Sequence, residues 1–300
     1  MDRKMGKLVR ERLQKKEILV APGAHDVLTA KIIEKVGFEA VYMTGYGNTA
    51  SILGSPDVGL ITFSEMVERA RNMAAAIEVP LIADADTGYG NAVNVIRTTR
   101  AYEQAGVAVM QMEDQLAPKK CGHMLGRELI STEEMCGKIR AAADARSDRD
   151  SMLIMARTDA RTNFGLEEAI ARGKAYEAAG ADILFIESVE NEEEMKAVTS
   201  SFGVPVLANM IEHGRTPYKT SSELEEIGYD LVIYCLTSTY TMAQAMFDVM
   251  NELKDTGSAR RFMEEGRMLP FDQFNQLIGL PEIRRIEREY NSGRILDDNA

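Results

Sequence analysis

The chain has 300 residues, of which 45% are hydrophobic, so one large domain with an extensive core is possible. The formal net charge of −12 disfavours nucleic acid and anionic membranes as partners, because phosphate binding relies on clustered Lys and Arg. No apolar run reaches the ~18 residues that a membrane span needs. A small anionic substrate is still compatible, since a bound metal can reverse the local field.

The cysteines indicate the cellular compartment. Cys121, Cys136 and Cys235 are the only three, and they lie far apart. The opening residues MDRKMGKLVRERLQKKE are charged throughout, and no export-type apolar stretch follows them. An odd number of scattered cysteines is typical of a reducing environment, so we expect a cytoplasmic protein.

Short apolar runs alternate with amphipathic helical patterns along most of the chain. The helical patterns include HDVLTAKIIEKVG, TFSEMVERARNMAAAI and NVIRTTRAYEQAG. The apolar runs are nearly continuous, as strands buried on both faces should be. They are ILVAPGA, AVYMTG, LIADAD, VAVMQMED, MLIMARTD, ADILFIES, PVLANM and LVIYCLTS.

Glycine lies at several predicted junctions between a helix and the next strand, at Gly37, Gly106, Gly180 and Gly228, which fits helix C-caps. The repeated βα unit predicts an α/β protein with a (β/α)₈ TIM-type barrel over residues 1–257, including an N-terminal helix at 3–16. An open doubly wound sheet is the alternative, although no dinucleotide-type glycine fingerprint follows the first strand.

Residues 258–300 read as a C-terminal helical extension beyond the barrel. An apolar patch lies there, and its burial against a neighbouring subunit is a reasonable expectation. The patch consists of Phe271, Phe274, Leu277, Ile278 and Leu280.

Polar side chains follow nearly every predicted strand, at the barrel end where such folds carry their chemistry. Solvation of the rim is the simplest alternative, but polar groups that point inward without a partner would carry a desolvation cost. These strand ends supply Thr44, Gly45, Tyr46, Asp84, Asp86, Glu113, Arg157, Glu187 and Asn209.

Carboxylates predominate among these groups. Asp84 and Asp86 share one face of a strand, Glu113 ends the next strand, and Asp57 follows the second. Gathered hard oxygen ligands without a Cys or His cluster favour Mg²⁺, or Mn²⁺, over zinc. Neutralisation by Arg157 or by buried water is the alternative.

The stretch APKKCGHMLGRELI places Cys121 between Lys119-Lys120 and Gly122-His123. Cationic neighbours favour a reactive thiolate, whereas a basic surface loop with a spare thiol is the alternative. We interpret His25 and His213 as structural residues.

KKCGH after a strand ending in ED, with DADTGYG before it and ARTDA after it, resembles the isocitrate lyase and phosphoenolpyruvate mutase superfamily. The resemblance runs from about residue 22 to 217 and into the tail. It implies a barrel, Mg²⁺, a mobile loop that carries the cysteine, and a homotetramer with C-terminal helices swapped between subunits.

The resemblance also implies roles for individual residues. Asp84 would ligate the metal directly, and Asp57, Asp86 and Glu113 would act through metal-bound water. Cys121 would be the catalytic acid, and Tyr42, with its pKa lowered by Arg157, the base. Substrate contacts would come from Thr44, Gly45, Tyr46, Gly122, His123, Glu187 and Asn209.

The implied activity is cleavage of a carbon–carbon bond in a small 2-hydroxy dicarboxylate. Tyr46 stands where methylisocitrate-cleaving members usually carry a small residue, so a compact substrate such as 2,3-dimethylmalate is expected, giving pyruvate and propionate. Alternatives are 2-methylisocitrate cleavage to pyruvate and succinate, and oxaloacetate hydrolysis or decarboxylation. Phosphonopyruvate-type chemistry fits less well, because those relatives lack the loop cysteine. A non-catalytic metal-binding protein is the alternative outside enzymes.

Overall fold

Eight short strands form a closed parallel barrel in the computed structural model, which describes residues 4–122, 124 and 126–290. Each strand pairs with its neighbours in chain order, and the last pairs with the first from Leu19↔Leu231 to Pro22↔Tyr234. The predicted barrel is confirmed and the open sheet is wrong. The strands are β1 (Leu19–Ala24), β2 (Val41–Met43), β3 (Leu81–Asp84), β4 (Val109–Glu113), β5 (Leu153–Thr158), β6 (Ile183–Ile186), β7 (Val206–Asn209) and β8 (Leu231–Tyr234).

Helices follow the strands, and several of them begin at a residue whose side chain caps the helix. They are α1 (Met5–Leu13), α2 (Val27–Val36), α3 (Gly45–Leu53), α4 (Phe63–Ala76), α5 (Ala92–Gln104), α6 (Thr132–Ala145), α7 (Ala160–Phe164), α8 (Leu166–Ala178), α9 (Glu192–Thr199), α10 (Ser221–Ile227), α11 (Thr237–Thr256), α12 (Arg260–Glu264), α13 (Phe271–Leu277) and α14 (Leu280–Tyr290).

Local capping explains where the barrel helices start and stop. Thr62 and Glu65 form a capping box at the start of α4, satisfying two backbone donors that the helix cannot pair itself. Helices α2 and α10 end at Gly37 and Gly228, whose φ angles of 107° and 108° lie in the left-handed region. That region suits glycine because it has no Cβ, so the predicted junctions are confirmed.

The core has two principal layers. Inside the barrel, side chains such as Ile82, Leu153 and Phe185 fill the interior. Between β3–β4 and the helices outside them, Met66, Met110 and other apolar residues pack tightly. Because every strand faces apolar neighbours on both sides, the strands read as continuous apolar runs.

The chain divides into two compact units, Met1–Tyr240 and Thr241–Ala300. The predicted division after residue 257 falls one residue beyond the end of α11 at Thr256. In the second unit, α13 and α14 contain no buried residue. Packing of this segment on a neighbouring subunit stays a prediction. Among the described residues, no helix combines the length and hydropathy that crossing a membrane requires.

Candidate active site

A small cavity opens at the carboxyl ends of the strands. Eleven of the fourteen predicted site residues line it: Tyr42, Thr44, Tyr46, Asp57, Asp84, Glu113, Cys121, Gly122, Arg157, Glu187 and Asn209. Gly45 and Asp86 lie directly behind this lining, and His123 lies outside the described residues. The predicted residues therefore meet at one place although they come from eight separate segments of the chain.

The turn from β2 into α3 brings backbone close to the acidic residues. The Thr44 hydroxyl caps α3 by accepting a hydrogen bond from the Gly47 N–H at 3.3 Å. A Cβ atom at position 45 would lie 2.5 Å from Oδ2 of Asp84 and 3.5 Å from Oδ1 of Asp86. Glycine is thus needed at position 45 for the helix to start against these two carboxylates.

A buried lysine lies among the predicted metal carboxylates. Nζ of Lys119 is 2.7 Å from Oδ2 of Asp57 and 2.7 Å from Oδ1 of Asp86. Burial lowers the pKa of Lys119, but the attraction of Asp86, Asp57 and other carboxylates outweighs it and holds that pKa well above its usual range. Lys119 therefore stays charged and neutralises part of the acidic cluster.

Burial dominates the pKa values of the acids themselves. It raises the pKa of Asp86 to about 6, against the opposing effect of Lys119 and with added repulsion from Asp84 and Asp57. It also raises the pKa of Glu113 well above the usual range, although Arg157 and Lys119 lower it. The lowering effect of these lysine and arginine charges on the two carboxyl pKa values is therefore smaller than the raising effect of burial.

The carboxylates of the site fit a hard divalent cation. Oδ1 of Asp57 and Oε1 of Glu113 are buried and have no hydrogen-bond partner among the described residues. Within the same ranges, no group of three or more Asp, Glu, His or Cys side chains is arranged to ligate one ion together. Buried carboxylate oxygens of this kind suit Mg²⁺, which is usually bound by one or two carboxylates and keeps several waters.

Arg157 organises the opposite side of the cavity. Its Nε and Nη2 donate to the two oxygens of Asp159 at 3.0 and 2.9 Å. The same guanidinium lies 3.4 Å from Oε2 of Glu113 and 3.3 Å from Oε2 of Glu187. Nδ2 of Asn209 donates to Oε2 of Glu187 at 3.1 Å. This geometry holds a cation and an amide in fixed positions at the cavity wall.

The expectation of a lowered pKa for Tyr42 was wrong. Its hydroxyl donates to Oε1 of Gln111 at 3.2 Å in a buried environment. Burial, followed by repulsion from Asp84, raises the pKa of Tyr42 well above its usual range, and the lowering effect of Arg157 is smaller. Tyr42 therefore stays protonated and acts as a hydrogen-bond donor.

The loop segment that carries Cys121 and Gly122 packs against residues of the cavity. The Cys121 N–H donates to the Asp57 carbonyl at 3.1 Å. A Cβ atom at position 122 would meet the Arg157 guanidinium and lie 2.8 Å from Oε2 of Glu187, so only glycine permits this approach. The other two cysteines are buried, and burial raises the pKa of both thiols. Of the three, Cys121 is the thiol with partial exposure at the site.

Sequence reasoning missed two groups in the site. Lys119 was read only as a neighbour of Cys121, although a surplus of buried carboxylates calls for a buried cation. Gln111 was not singled out, yet it lies two residues before Glu113 on β4 and so shares its face of the strand. That alternation was the signal that could have identified it.

Comparison with known proteins agrees with this geometry. A sequence model of the family described as phosphoenolpyruvate phosphomutase matches residues 9–254. The chain belongs to the phosphoenolpyruvate mutase and isocitrate lyase superfamily. It is 56% identical to 2,3-dimethylmalate lyase of Eubacterium barkeri, covering 95% of this chain and 98% of that relative. It is 42% identical to a 2-methylisocitrate lyase of Aeropyrum pernix, covering 95% and 90%. The predicted superfamily is confirmed.

Solved structures give the same relationship. A crystal structure of 2,3-dimethylmalate lyase superposes with a TM-score of 0.91 at 34% identity, covering 99% of this chain and 98% of that one. A phosphonopyruvate hydrolase in complex with oxalate and Mg²⁺ superposes with a TM-score of 0.85 at 32% identity, covering 95% and 99%. A superfamily member thus holds Mg²⁺, which agrees with the fit of the carboxylate cluster.

Proposed function

We propose that the protein is a Mg²⁺-dependent carbon–carbon lyase that cleaves 2,3-dimethylmalate, or a close analogue, to pyruvate and propionate. The observation that carries this proposal is the 56% identity to a 2,3-dimethylmalate lyase over nearly the whole of both chains. The cavity supports it because a cysteine, an arginine and a buried carboxylate cluster face one another there.

The substrate would be held by its two carboxylates. Arg157 and Asn209 bind one of them, with help from the loop residues Gly122 and His123. Thr44 and the backbone of Gly45 and Tyr46 contact the other end. Asp84 would hold a Mg²⁺ ion directly, with Asp57, Asp86 and Glu113 acting through water, and the ion would supply Lewis-acid stabilisation of negative charge on substrate oxygens; Mn²⁺ would serve as well.

The reaction breaks the C2–C3 bond of the substrate. Loss of the C2 hydroxyl proton lets C2 become the carbonyl carbon of pyruvate, and the electron pair of the broken bond stays on C3. The thiol of Cys121 then donates a proton to C3, which completes propionate. The C2 hydroxyl proton passes to a group of the cavity, either Tyr42, which the family resemblance implies, or one of the buried carboxylates beside it. The closed loop keeps bulk water from the carbanion.

The walls of the cavity favour a dicarboxylate over 2-methylisocitrate, which has a third carboxylate. Its cationic lining residues in the described part of the chain are Lys119, which is paired with Asp57 and Asp86, Lys120, whose Nζ donates to the Gly126 carbonyl, and Arg157, which is assigned to one of the two substrate carboxylates. Other lining side chains are apolar, namely Ile211, Ile233 and Leu236. An apolar wall suits a methyl group, whereas a carboxylate placed there would be desolvated without a counter-charge.

We also propose a cytoplasmic homotetramer. A cytoplasmic location keeps the Cys121 thiol reduced, which its role as proton donor requires. Large apolar side chains of the second unit are exposed in the single chain, including Phe247 at 68% and Phe271 at 80%. Contact with other subunits would cover them.

A substrate panel tests the function directly. Purified protein with Mg²⁺ is given 2,3-dimethylmalate, 2-methylisocitrate, 2-alkylmalates and oxaloacetate, and kcat/KM is measured from the appearance of the 2-oxo acid, or of oxalate for oxaloacetate. We expect the highest value with 2,3-dimethylmalate. A higher value with 2-methylisocitrate would replace the proposed substrate, and no product from any compound would overturn the proposal.

A further inference from the structure

The backbone on both sides of Cys121 is held by side chains that have no assigned role. The side-chain amide of Gln115 donates to the Lys120 carbonyl at 2.8 Å and accepts from the Lys120 N–H at 2.9 Å. The Ser188 hydroxyl donates to the Gly122 carbonyl at 3.1 Å. Because these bonds hold the backbone of the residue before and of the residue after Cys121, they fix the position from which the Cys121 side chain projects.

Gln115 acts from within the loop. It is 1% exposed, follows β4, and forms an isolated antiparallel bridge with Leu129 that closes the base of the loop. Its side chain then reaches forward to Lys120 and satisfies both backbone groups of that residue. The Gln115 amide therefore ties Lys120 to the start of the loop, and these bonds do not depend on contact between the loop and the barrel.

Ser188 acts from the barrel. It follows β6, is buried, and has a φ angle of 63°, which is uncommon for a residue with a side chain. Strained backbone of this kind persists where the surroundings require it and is frequent at functional sites. The Gly122 carbonyl at 3.1 Å is a closer acceptor than Oε1 of Glu187 at 3.5 Å, so the hydroxyl proton points to the loop.

We propose that Gln115 and Ser188 are positioning residues for Cys121, with Gln115 setting the shape of the loop and Ser188 latching it to the barrel. This inference rests on the proposed function for the reaction that Cys121 performs. Neither residue is among the described residues that line the cavity, so neither is a catalytic residue. Both act on the reaction through the position of the thiol.

Alkylation of Cys121 by iodoacetamide, followed by mass spectrometry without substrate, measures release of the loop independently of turnover. We expect Ser188→Ala to speed alkylation about fivefold, the effect of losing one ordinary hydrogen bond. Ser188→Gly relaxes the strained backbone but also lacks the hydroxyl, so it should speed alkylation equally. If Cys121 in Ser188→Gly were alkylated at the parental rate, Ser188 would serve only the conformation of the turn, and its role in holding the loop to the barrel would be wrong.

Gln115→Leu removes both hydrogen bonds to Lys120 while keeping a side chain of similar size. We expect faster alkylation of Cys121 and a fall in kcat that exceeds the change in KM, because binding groups on the barrel are untouched. Leu116→Ala is the matched control, since this neighbouring side chain is 48% exposed and should have no effect. Buried Cys136 reports unfolding in the same samples, and its equal acceleration would overturn the proposal.

The experiments distinguish failure of the positioning role from failure of the proposed lyase activity. If neither Ser188→Ala nor Gln115→Leu changed the alkylation of Cys121, the positioning role would be wrong while the lyase activity could stand. If the parent protein cleaved no compound of the panel but its variants showed the expected order of alkylation rates, the reaction would be wrong and the positioning role would stand.

Discussion

Glycine is required at position 122 because the loop backbone lies directly on charged side chains. We expect Gly122→Ala to lower kcat/KM at least tenfold, since the new methyl group would push the loop off Arg157 and Glu187. A displacement of about 1 Å in a reacting group can cost about 10²-fold in rate. Thermal unfolding should change little, because the loop contributes little of the core. Steady-state kinetics and a melting curve measure the two effects.

Gly137→Ala is the matched control for that substitution. Gly137 lies in α6, and a Cβ atom there would meet nothing within 4 Å. Alanine in a helix is favoured over glycine by about 0.5–1 kcal/mol, so this variant should be fully active and slightly more stable. If Gly122→Ala kept parental kcat/KM, the closed position of the loop would not matter for turnover.

Individual residues were predictable where the sequence places them at strand ends, and less so where they arrive from loops. Asp84, Glu113 and Arg157 lie at or beside the ends of their strands, so the barrel itself brings them together. The insertion of Lys119 between Asp57 and Asp86 depends on the path of two loops. Periodicity carries no information about such paths. The effect of burial on Tyr42 also needed the packed structure, because a neighbouring arginine suggested the opposite direction.

At the scale of elements, the end of β3 carries the proposed metal ligands. We expect Mg²⁺ to raise the melting temperature of the parent protein, since an ion that binds only the folded state stabilises it by about 2.7 kcal/mol at 100 times its Kd. EDTA should reverse the rise and abolish activity. Asp84→Asn should remove the rise, because it removes the charge that holds the ion.

The fold of the Asp84→Asn variant should survive, since the amide oxygen can still accept the hydrogen bond that Asp86 N–H donates to Oδ1 of Asp84 at 2.9 Å. Asp144→Asn, on the exposed face of α6, is the control and should keep the full response to Mg²⁺. An Asp84→Asn protein that Mg²⁺ stabilises as strongly as the parent would show that the ion binds elsewhere.

The strands and helices were the features that the sequence predicted best. Each of the predicted strands is present, because strands buried on both faces need unbroken apolar sequence. The junction glycines marked helix ends because left-handed backbone excludes most other residues. Most strand boundaries shifted by one or two residues, and the eighth predicted run extended four residues past the end of β8 at Tyr234, because the predicted runs continue into the loops that form the site.

At the scale of the whole molecule, the predicted tetramer depends on the second unit and can be tested by measuring the mass of the assembly. Light scattering should give a mass of about four times the 33.2 kDa of one chain. Truncation after residue 257 should yield smaller or aggregating species, because it removes α12–α14 and their exposed apolar side chains. A full-length protein that stays monomeric at micromolar concentration would contradict the tetramer. An apolar tail predicts contact with some surface, but the sequence does not identify that surface.

The central claim is that Cys121 supplies the proton that completes the product. The decisive measurement is kcat for Cys121→Ser with 2,3-dimethylmalate and Mg²⁺, beside Cys136→Ser as the control. We predict a fall of at least about 10²-fold for Cys121→Ser with nearly unchanged Mg²⁺ and substrate binding, because a hydroxyl is a far poorer acid than a thiol. Cys136→Ser should match the parent. Turnover of Cys121→Ser close to the parental rate would show that another group is the acid and that the loop serves only as a lid.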